Sequence, residues 1–343
     1  MTLRRNLAVS ALAGAMAIGT VSAIAQDKVV NMRLSHNVPP SHPVNTLLLG
    51  PWAKSIESAS GGTIKIQVFP AEQLGPAREQ YNLARDGIAD ISWYLVGIEP
   101  GRFPIITAAE IPFLVSDNAK GSRALHEWYA KYAEREMPDV KVCVVFYDGG
   151  GTMHANKKIA RPADLKGLKI RSPNATAARF YREAGATTVQ LSAAEAAEAM
   201  ERGVADALSF PWNLLRALGI DRAVNHHLDM NFYSLGTALL INKGTYAKLS
   251  PKQKQVIDSH CTADWAEKLP PAWIQWEQEG RLALLKDPKH TVYSISEEDK
   301  KAWKEIVPKV RQQWEKEVAQ KGVDGQKAFA ELTALLNKYQ AAY

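Results

Sequence analysis

Apolar residues in the first half of the chain switch between two periods, 2 and about 3.6, and the switches mark alternating strands and helices. Residues 63–69 (TIKIQVF) place Ile64, Ile66 and Val68 on one face of a strand and Lys65 and Gln67 on the other. The runs 29–35 (VVNMRLS), 89–94 (ADISWY) and 140–146 (VKVCVVF) read as further strands. Between them lie helical stretches: 43–60, which Pro51 should kink, a segment opened by Pro76 and closed by Gly87, and 119–136. Strand and helix in regular succession predict a mostly parallel sheet with helices on its faces.

A second unit follows the same rhythm: strand 168–172, helix 175–184, strand near 187–190, helix 193–202 and strand 205–209. Residues 234–242 (SLGTALLIN) form another apolar strand, after which helices dominate, from Pro251 to about Lys286 and from Glu297 onward. Pro270-Pro271 must break or bend the first of these. Gly149-Gly150-Gly151 separate the two units and read as a hinge, because glycine absorbs large backbone changes cheaply. The run lacks the Gly-Lys-Ser/Thr of a phosphate loop and the spacing of a dinucleotide fingerprint.

The N-terminus has the composition of an export signal. Arg4 and Arg5 precede an apolar stretch from Leu7 to Val21, and Ala23-Ile24-Ala25 is a cleavage site, with the cut expected after Ala25. The stretch is too short for a membrane anchor, no Cys follows it, and no later segment approaches about 18 uncharged apolar residues. The expected product is soluble and periplasmic. The 42 Lys and Arg are interspersed with 36 Asp and Glu, as in EEDKKAWK (297–304), which describes a mixed solvated surface and excludes a nucleic-acid footprint. Cys143 and Cys261 are the only thiols. Export permits a disulfide, but Cys143 in an apolar strand and Cys261 in a helix read as two separately buried thiols.

Arg171 is the leading candidate for chemistry. Leu168 and Ile170 alternate with Lys169 and Arg171 before Pro173 ends the strand. A guanidinium then stands at the C-terminal end of a strand, where open α/β sheets bind ligands, with a planar fork suited to a carboxylate.

The chain resembles the solute-binding proteins of tripartite ATP-independent periplasmic (TRAP) transporters, DctP type. The likeness rests on FPAEQLG (69–75), RDGIADIS (85–92), PGRFPIITAAEIPF (100–113), ARPADLKGLKIRSPN (160–174), ERGVADA (201–207) and LLINKGTYAKLSPKQKQVI (239–257), in that order. The resemblance implies an α/β fold of two domains joined by hinge strands and braced by a long helix, the Venus-flytrap arrangement of periplasmic binding proteins. Residues 26–149 with about 237–275 would form one domain, and 150–236 with about 276–343 the other. It implies a receptor that closes over an organic acid and delivers it to TRAP permease subunits, without cofactor, metal or catalysis, as a monomer. Arg171 takes the carboxylate grip and Asn37 a polar contact. The chain departs from the family pattern at Gly151, where many members have a second Arg, at Leu95, where acid-sugar binders have Glu, and at Ser209 and Phe210, where Glu and Asn are frequent.

These departures remove charge while aromatics gather at strand ends. Trp93, Tyr94, Tyr147, Phe210 and Trp212 are expected on the ligand wall, with His36 beside Asn37 and Ser209 beside Phe210; Phe232 and Tyr233 also approach the cleft. His36, His42 and His154 read as structural rather than metal ligands, His226-His227 as loop residues, and Glu110 and Asp206 as structural acids. No G-x-S-x-G elbow supports a hydrolase. One strong anion site and an aromatic wall predict an aromatic or bulky monocarboxylate. A C4-dicarboxylate or sugar-acid receptor is the alternative, with a sensory partner or a periplasmic enzyme acting on organic acids behind it.

Overall fold

Among the residues described by the computed structural model, 27–343 apart from Ser192 and Ala194, ten strands form one sheet. The expected export signal and its cleavage site lie outside the described residues. The strands are β1 (Val30–Ser35), β2 (Ile64–Phe69), β3 (Ile91–Leu95), β4 (Val140–Ala155), β5 (Lys169–Ser172), β6 (Thr187–Gln190), β7 (Ala207–Phe210), β8 (His226–Leu228), β9 (Tyr233–Asn242) and β10 (Thr291–Tyr293). Their order is β2-β1-β3-β9-β4-β7-β5-β6, with β8 on the far end of β4 and β10 beside it.

The sheet is mixed rather than mostly parallel. The βαβ units are parallel, as β2-β1-β3 and β6-β5-β7. The strands joining the halves run against them, with β9 antiparallel to β3 and to β4, and β4 antiparallel to β7 and β8. β4 is 16 residues long, so its first part belongs to one half of the sheet and its last part to the other. The glycine run lies within this strand, in register with Leu235, Ser234 and Tyr233 of β9.

Proline shapes the first helical stretch. Val44–Leu49 winds as a π-helix and Gly50–Ala59 as an α-helix, with the Gly50 N–H donating to the Asn45 carbonyl, five residues back. Pro51 has no N–H and its ring would strike a carbonyl four residues back, so the widened turn carries the bend. Pro270 opens the 17-residue helix Pro270–Lys286, which Pro271 does not interrupt because prolines in a first helical turn cost no hydrogen bond. The C-terminal segment crosses the expected domain division. Trp303 packs with Phe180 and Phe232 of the second half. Trp314, Leu332 and Leu336 pack instead in the core of the first, where the Trp128 indole donates to the Ala328 carbonyl at 2.8 Å.

β4 carries two bulges, at Cys143 and at Asp148. A bulged residue leaves the ladder and its side chain is re-aimed. Cys143 is turned toward the helices after Pro251 and forms a disulfide with Cys261, their Cα atoms 4.5 Å apart. The two thiols are therefore joined and not separately buried; the neighbourhood spans 118 positions of sequence, which no local pattern reveals. A cross-link of that span stabilises by roughly 2–4 kcal/mol, mainly by restricting the unfolded chain. Reduction should lower the melting temperature by several degrees in calorimetry, and Cys143→Ala with Cys261→Ala should reproduce the loss. An unchanged melting temperature on verified reduction would contradict a stabilising role.

Candidate functional site

A cavity of about 560 Å³ opens where β1, β3, β5 and β7 end, between the two halves of the sheet. Carboxyl ends of strands on either side of a crossover leave such a crevice. The first half contributes Asn37, Trp93, Leu95 and Glu110, and the loop after β2 adds Glu72 and Arg78. The joining strands add Asp148, Tyr233 and Leu235. Arg171, Asn174, Leu191 and Phe210 come from the second half, and Trp273 from the helix Pro270–Lys286.

Arg171 is only 5% exposed, more deeply set than a half-buried strand would place it. Its Nε and Nη2 donate to the Leu191 carbonyl at 3.1 and 2.9 Å, and Nη1 to the Ser209 carbonyl at 3.4 Å. The guanidinium lies 5.1 Å from the Phe210 ring centre. Burial lowers its pKa to about 10, with Tyr233 and Glu195 acting the other way, so it is charged at neutral pH. These carbonyl bonds use three of the five N–H groups and fix the plane of the fork.

Of the residues expected from sequence, Arg171, Asn37, Trp93 and Phe210 line this cavity. Tyr94 does not. Successive strand residues face opposite sides, so with Trp93 on the cavity Tyr94 enters the core beside Tyr81 and Phe103. Tyr147 is also turned away, its ring against the helix Asn118–Tyr129 near Gly121. Trp212 lines a smaller adjoining cavity of about 430 Å³ with Trp273 and Glu277. Ser209 acts behind the wall, where its hydroxyl accepts from the Tyr181 O–H at 2.7 Å and its carbonyl from Arg171. His36 is buried beneath Asn37 and pairs with the Asn45 side chain at 3.1 Å. Phe232 belongs to the core of the second half, whereas Tyr233 faces the cavity.

His226-His227 are strand residues and not a loop. His227 Nδ1 lies 2.8 Å from His154 Nδ1, and its Nε2 lies 2.9 Å from His290 Nδ1. His154 Nε2 is 3.0 Å from the Phe210 carbonyl. A carbonyl only accepts, so His154 carries its proton on Nε2 and each preceding ring donates inward. Burial pushes the pKa of His154 down to about 4 and of His227 to about 2. His154 and His227 are therefore uncharged at neutral pH, and the line tethers a wall residue instead of supplying a second anion site.

The acids were harder to foresee. Glu110, read as structural, lines the cavity, and burial raises its pKa to about 8 against interactions with Asn174, the Gly97 N–H and Thr176. Asp148 is raised to about 8 by burial and Glu277 likewise, the latter accepting from the Asn213 N–H at 2.6 Å. Asp148 Oδ1, Trp93 Nε1 and Trp273 Nε1 are buried without hydrogen-bond partners. The glycine run makes room for this. A Cβ at Gly149 would lie 2.1 Å from Trp273 Nε1, and one at Gly151 would lie 2.2 Å from the Tyr233 hydroxyl. Trp273 left no local signal, since it sits on a helix whose pattern reads as a brace.

A family model described as bacterial extracellular solute-binding protein, family 7, matches residues 34–317. A solved TRAP solute-binding protein from Rhodoferax ferrireducens, in complex with copurified benzoate, is 28% identical with a TM-score of 0.86, over 91% of this chain and 99% of that one. A marine-metagenome TRAP solute-binding protein specific for aromatic acid ligands, in complex with metahydroxyphenylacetate, is 29% identical with a TM-score of 0.84, over 90% and 99%. A TRAP periplasmic solute-binding protein from Bordetella bronchiseptica, with bound (R)-mandelate and (S)-mandelate, is 26% identical with a TM-score of 0.81, over 90% and 99%.

The buried acids give the ligand-free protein a testable pH dependence. A carboxyl whose folded pKa is raised stabilises the fold fully below its unfolded pKa, and that contribution is lost as pH rises through the folded value. For Asp148 the window runs from its ordinary 3.8 to about 8. Asp148→Asn should match wild type in melting temperature near pH 4 and exceed it increasingly toward pH 8. The ceiling is about 1.4 kcal/mol per pH unit, reduced by the parallel titration of Glu110 and Glu277. A difference that stays flat or shrinks across this range would show that Asp148 titrates normally.

Proposed function

Since this chain belongs to family 7 of the bacterial extracellular solute-binding proteins, we propose that it captures an aromatic monocarboxylate outside the cytoplasm and presents it to a TRAP-type permease. One observation carries the choice of ligand: a single buried guanidinium, held by carbonyls, faces a cavity walled by Trp93, Phe210, Tyr233 and Trp273. The N–H groups of Arg171 beyond those carbonyl bonds are the pair that a carboxylate would take in two parallel hydrogen bonds. The flat aromatic walls suit a ring, which gains roughly 25 cal/mol per Å² of buried apolar surface and further stacking energy. A volume of about 560 Å³ is ample for a one-ring acid.

A second carboxylate fits poorly. The other cation on the wall, Arg78, is exposed, while Glu110 and Asp148 are the buried ionisable groups nearby. The benzoate, metahydroxyphenylacetate and mandelate bound by the structural neighbours are all one-ring monocarboxylates, which supports the same reading. In this reading the protein is periplasmic, works as a monomer, delivers its ligand to membrane permease subunits and catalyses no reaction. Residues 26–149 with about 237–275 rotate against 150–236 and the helices that pack on them, bending at β4 and β9. The bound acid stabilises the closed state by touching both halves.

Three measurements test this. Arg171→Ala should leave the ligand-free melting temperature within a few degrees and weaken binding of an aromatic monocarboxylate by about 100-fold or more in calorimetry. Arg171→Lys should lose at least about tenfold, since an ammonium cannot copy the fork. Binding of Arg171→Ala within about twofold of wild type would remove the carboxylate clamp, and stabilisation by succinate alone in a thermal-shift panel would remove the aromatic ligand. Separately, small-angle scattering should show a smaller radius of gyration with saturating ligand. An unchanged profile would mean a rigid pocket and no bending at β4 and β9.

A further inference from the structure

Among the described residues several polar atoms of the cavity lining have no hydrogen-bond partner: Trp93 Nε1, Glu110 Oε2, Asn174 Nδ2, the Tyr233 hydroxyl, Asp148 Oδ1 and Trp273 Nε1. The last two are the ones beside the second bulge of β4, with Asp148 4% exposed and Trp273 3%. Buried polar atoms in native structures are almost always hydrogen-bonded, so each orphan asks for a reason. Both stand beside the same stretch of β4. Trp273 Nε1 lies 2.1 Å from where a Cβ of Gly149 would stand, and Gly149 follows Asp148 in the chain. Asp148 is also the extra residue of the second bulge in β4, a device that re-aims a side chain out of the ladder.

One atom is a donor and the other an acceptor. A hydroxyl oxygen can accept from an indole N–H while its proton goes to a carboxyl oxygen. An ammonium would serve Asp148 but offer nothing to Trp273. A carboxylate could accept from Trp273 but would bury a second anion where the described lining offers Asp148 and Glu110 and no compensating buried cation beyond Arg171. An apolar ring edge would leave both atoms buried and unpaired. Tyr233, which interacts electrostatically with both Arg171 and Asp148, pairs with Gly151 of β4. Asp148 lies three residues back along that strand, roughly 10 Å of extended chain.

We propose that Asp148 and Trp273 form a second recognition point, specific for a hydroxyl group carried by the aromatic acid that Arg171 holds. The ligand class is then a hydroxylated aromatic monocarboxylate, its hydroxyl donating to Asp148 Oδ1 and accepting from Trp273 Nε1. The inference rests on the receptor reading above and adds the ligand's second functional group. A site built to hydrogen-bond a hydroxyl discriminates strongly against the analogue that lacks it, because its own polar groups are then left unpaired.

The test is calorimetric titration of the purified protein with benzoate, the three ring-hydroxylated benzoates, metahydroxyphenylacetate, mandelate and the three benzenedicarboxylates. At least one hydroxylated monoacid should bind tenfold or more tightly than benzoate, and every dicarboxylate more weakly than that acid. In Trp273→Phe and Asp148→Leu the ratio of the two dissociation constants, benzoate over the preferred hydroxy acid, should fall to within about threefold of unity. If a variant does not fold, the wild-type series still decides. Equal binding of benzoate and all hydroxylated acids, a dicarboxylate that binds as tightly, or a ratio that survives both substitutions would overturn the proposal. Benzoate binding that depends on Arg171 but shows no hydroxyl preference would overturn it while the receptor reading stands. Failure of every aromatic acid to bind would overturn both.

Discussion

The pairing of β4 with β9 is the interaction on which the rest of the molecule depends. From Val140 to Gly151 it holds β4 in the first half of the sheet, and from Thr152 to Ala155 the same strand pairs with β7 and β8 in the second. A strand offers two hydrogen-bonding edges and one residue per ladder step, so any surplus residue must leave the ladder. The two surplus residues of β4 are Cys143 and Asp148. One ties the strand to the helices behind it, and the other turns a carboxyl into the cavity. The glycines between Asp148 and Thr152 also give clearance, because the Trp273 indole and the Tyr233 phenol occupy the space that side chains would take.

Electrostatics follow from where that strand places the cavity. Burying a charge is expensive unless partners meet it. Arg171 is met by two backbone carbonyls, which orient it while leaving it cationic; in the proposed reading a ligand carboxylate supplies the compensating charge. Buried titratable groups around the cavity favour their neutral forms. His154 and His227 link His290 to the Phe210 carbonyl with their own pKa values lowered by burial, and Glu110, Asp148 and Glu277 have pKa values raised by burial. The Phe210 ring, anchored through that histidine line, lies against the guanidinium. The cavity thus presents one fixed cation on a wall of rings.

Much of this was legible along the chain wherever periodicity acts locally. The Ile64, Ile66 and Val68 face of β2, the βαβ order of both halves, the break before Pro270 and the position of Arg171 at a strand end all follow from spacing and from what Pro and Gly permit. The aromatic residues next to strand ends were legible as a group but not one by one. Trp93 and Tyr94 are adjacent, a strand sends adjacent side chains to opposite faces, and no local pattern tells which face meets the cavity. The same ambiguity separated Phe232 from Tyr233 and removed Tyr147 from the ligand wall.

By itself, the sequence determined most of the strands and helices, the family likeness and the place of Arg171 at a strand end, because hydrophobic period, helix-end chemistry and short motifs are properties of neighbouring residues. Tertiary structure alone decided the disulfide across 118 positions, the divided packing of the C-terminal segment, the histidine line, and the approach of Trp273 to β4 at Gly149. Each of these joins residues far apart in the chain, and each depends on where β4 bulges and which way a side chain turns. Those choices are set by ladder register and by competition for space in the core, which no stretch of sequence carries on its own.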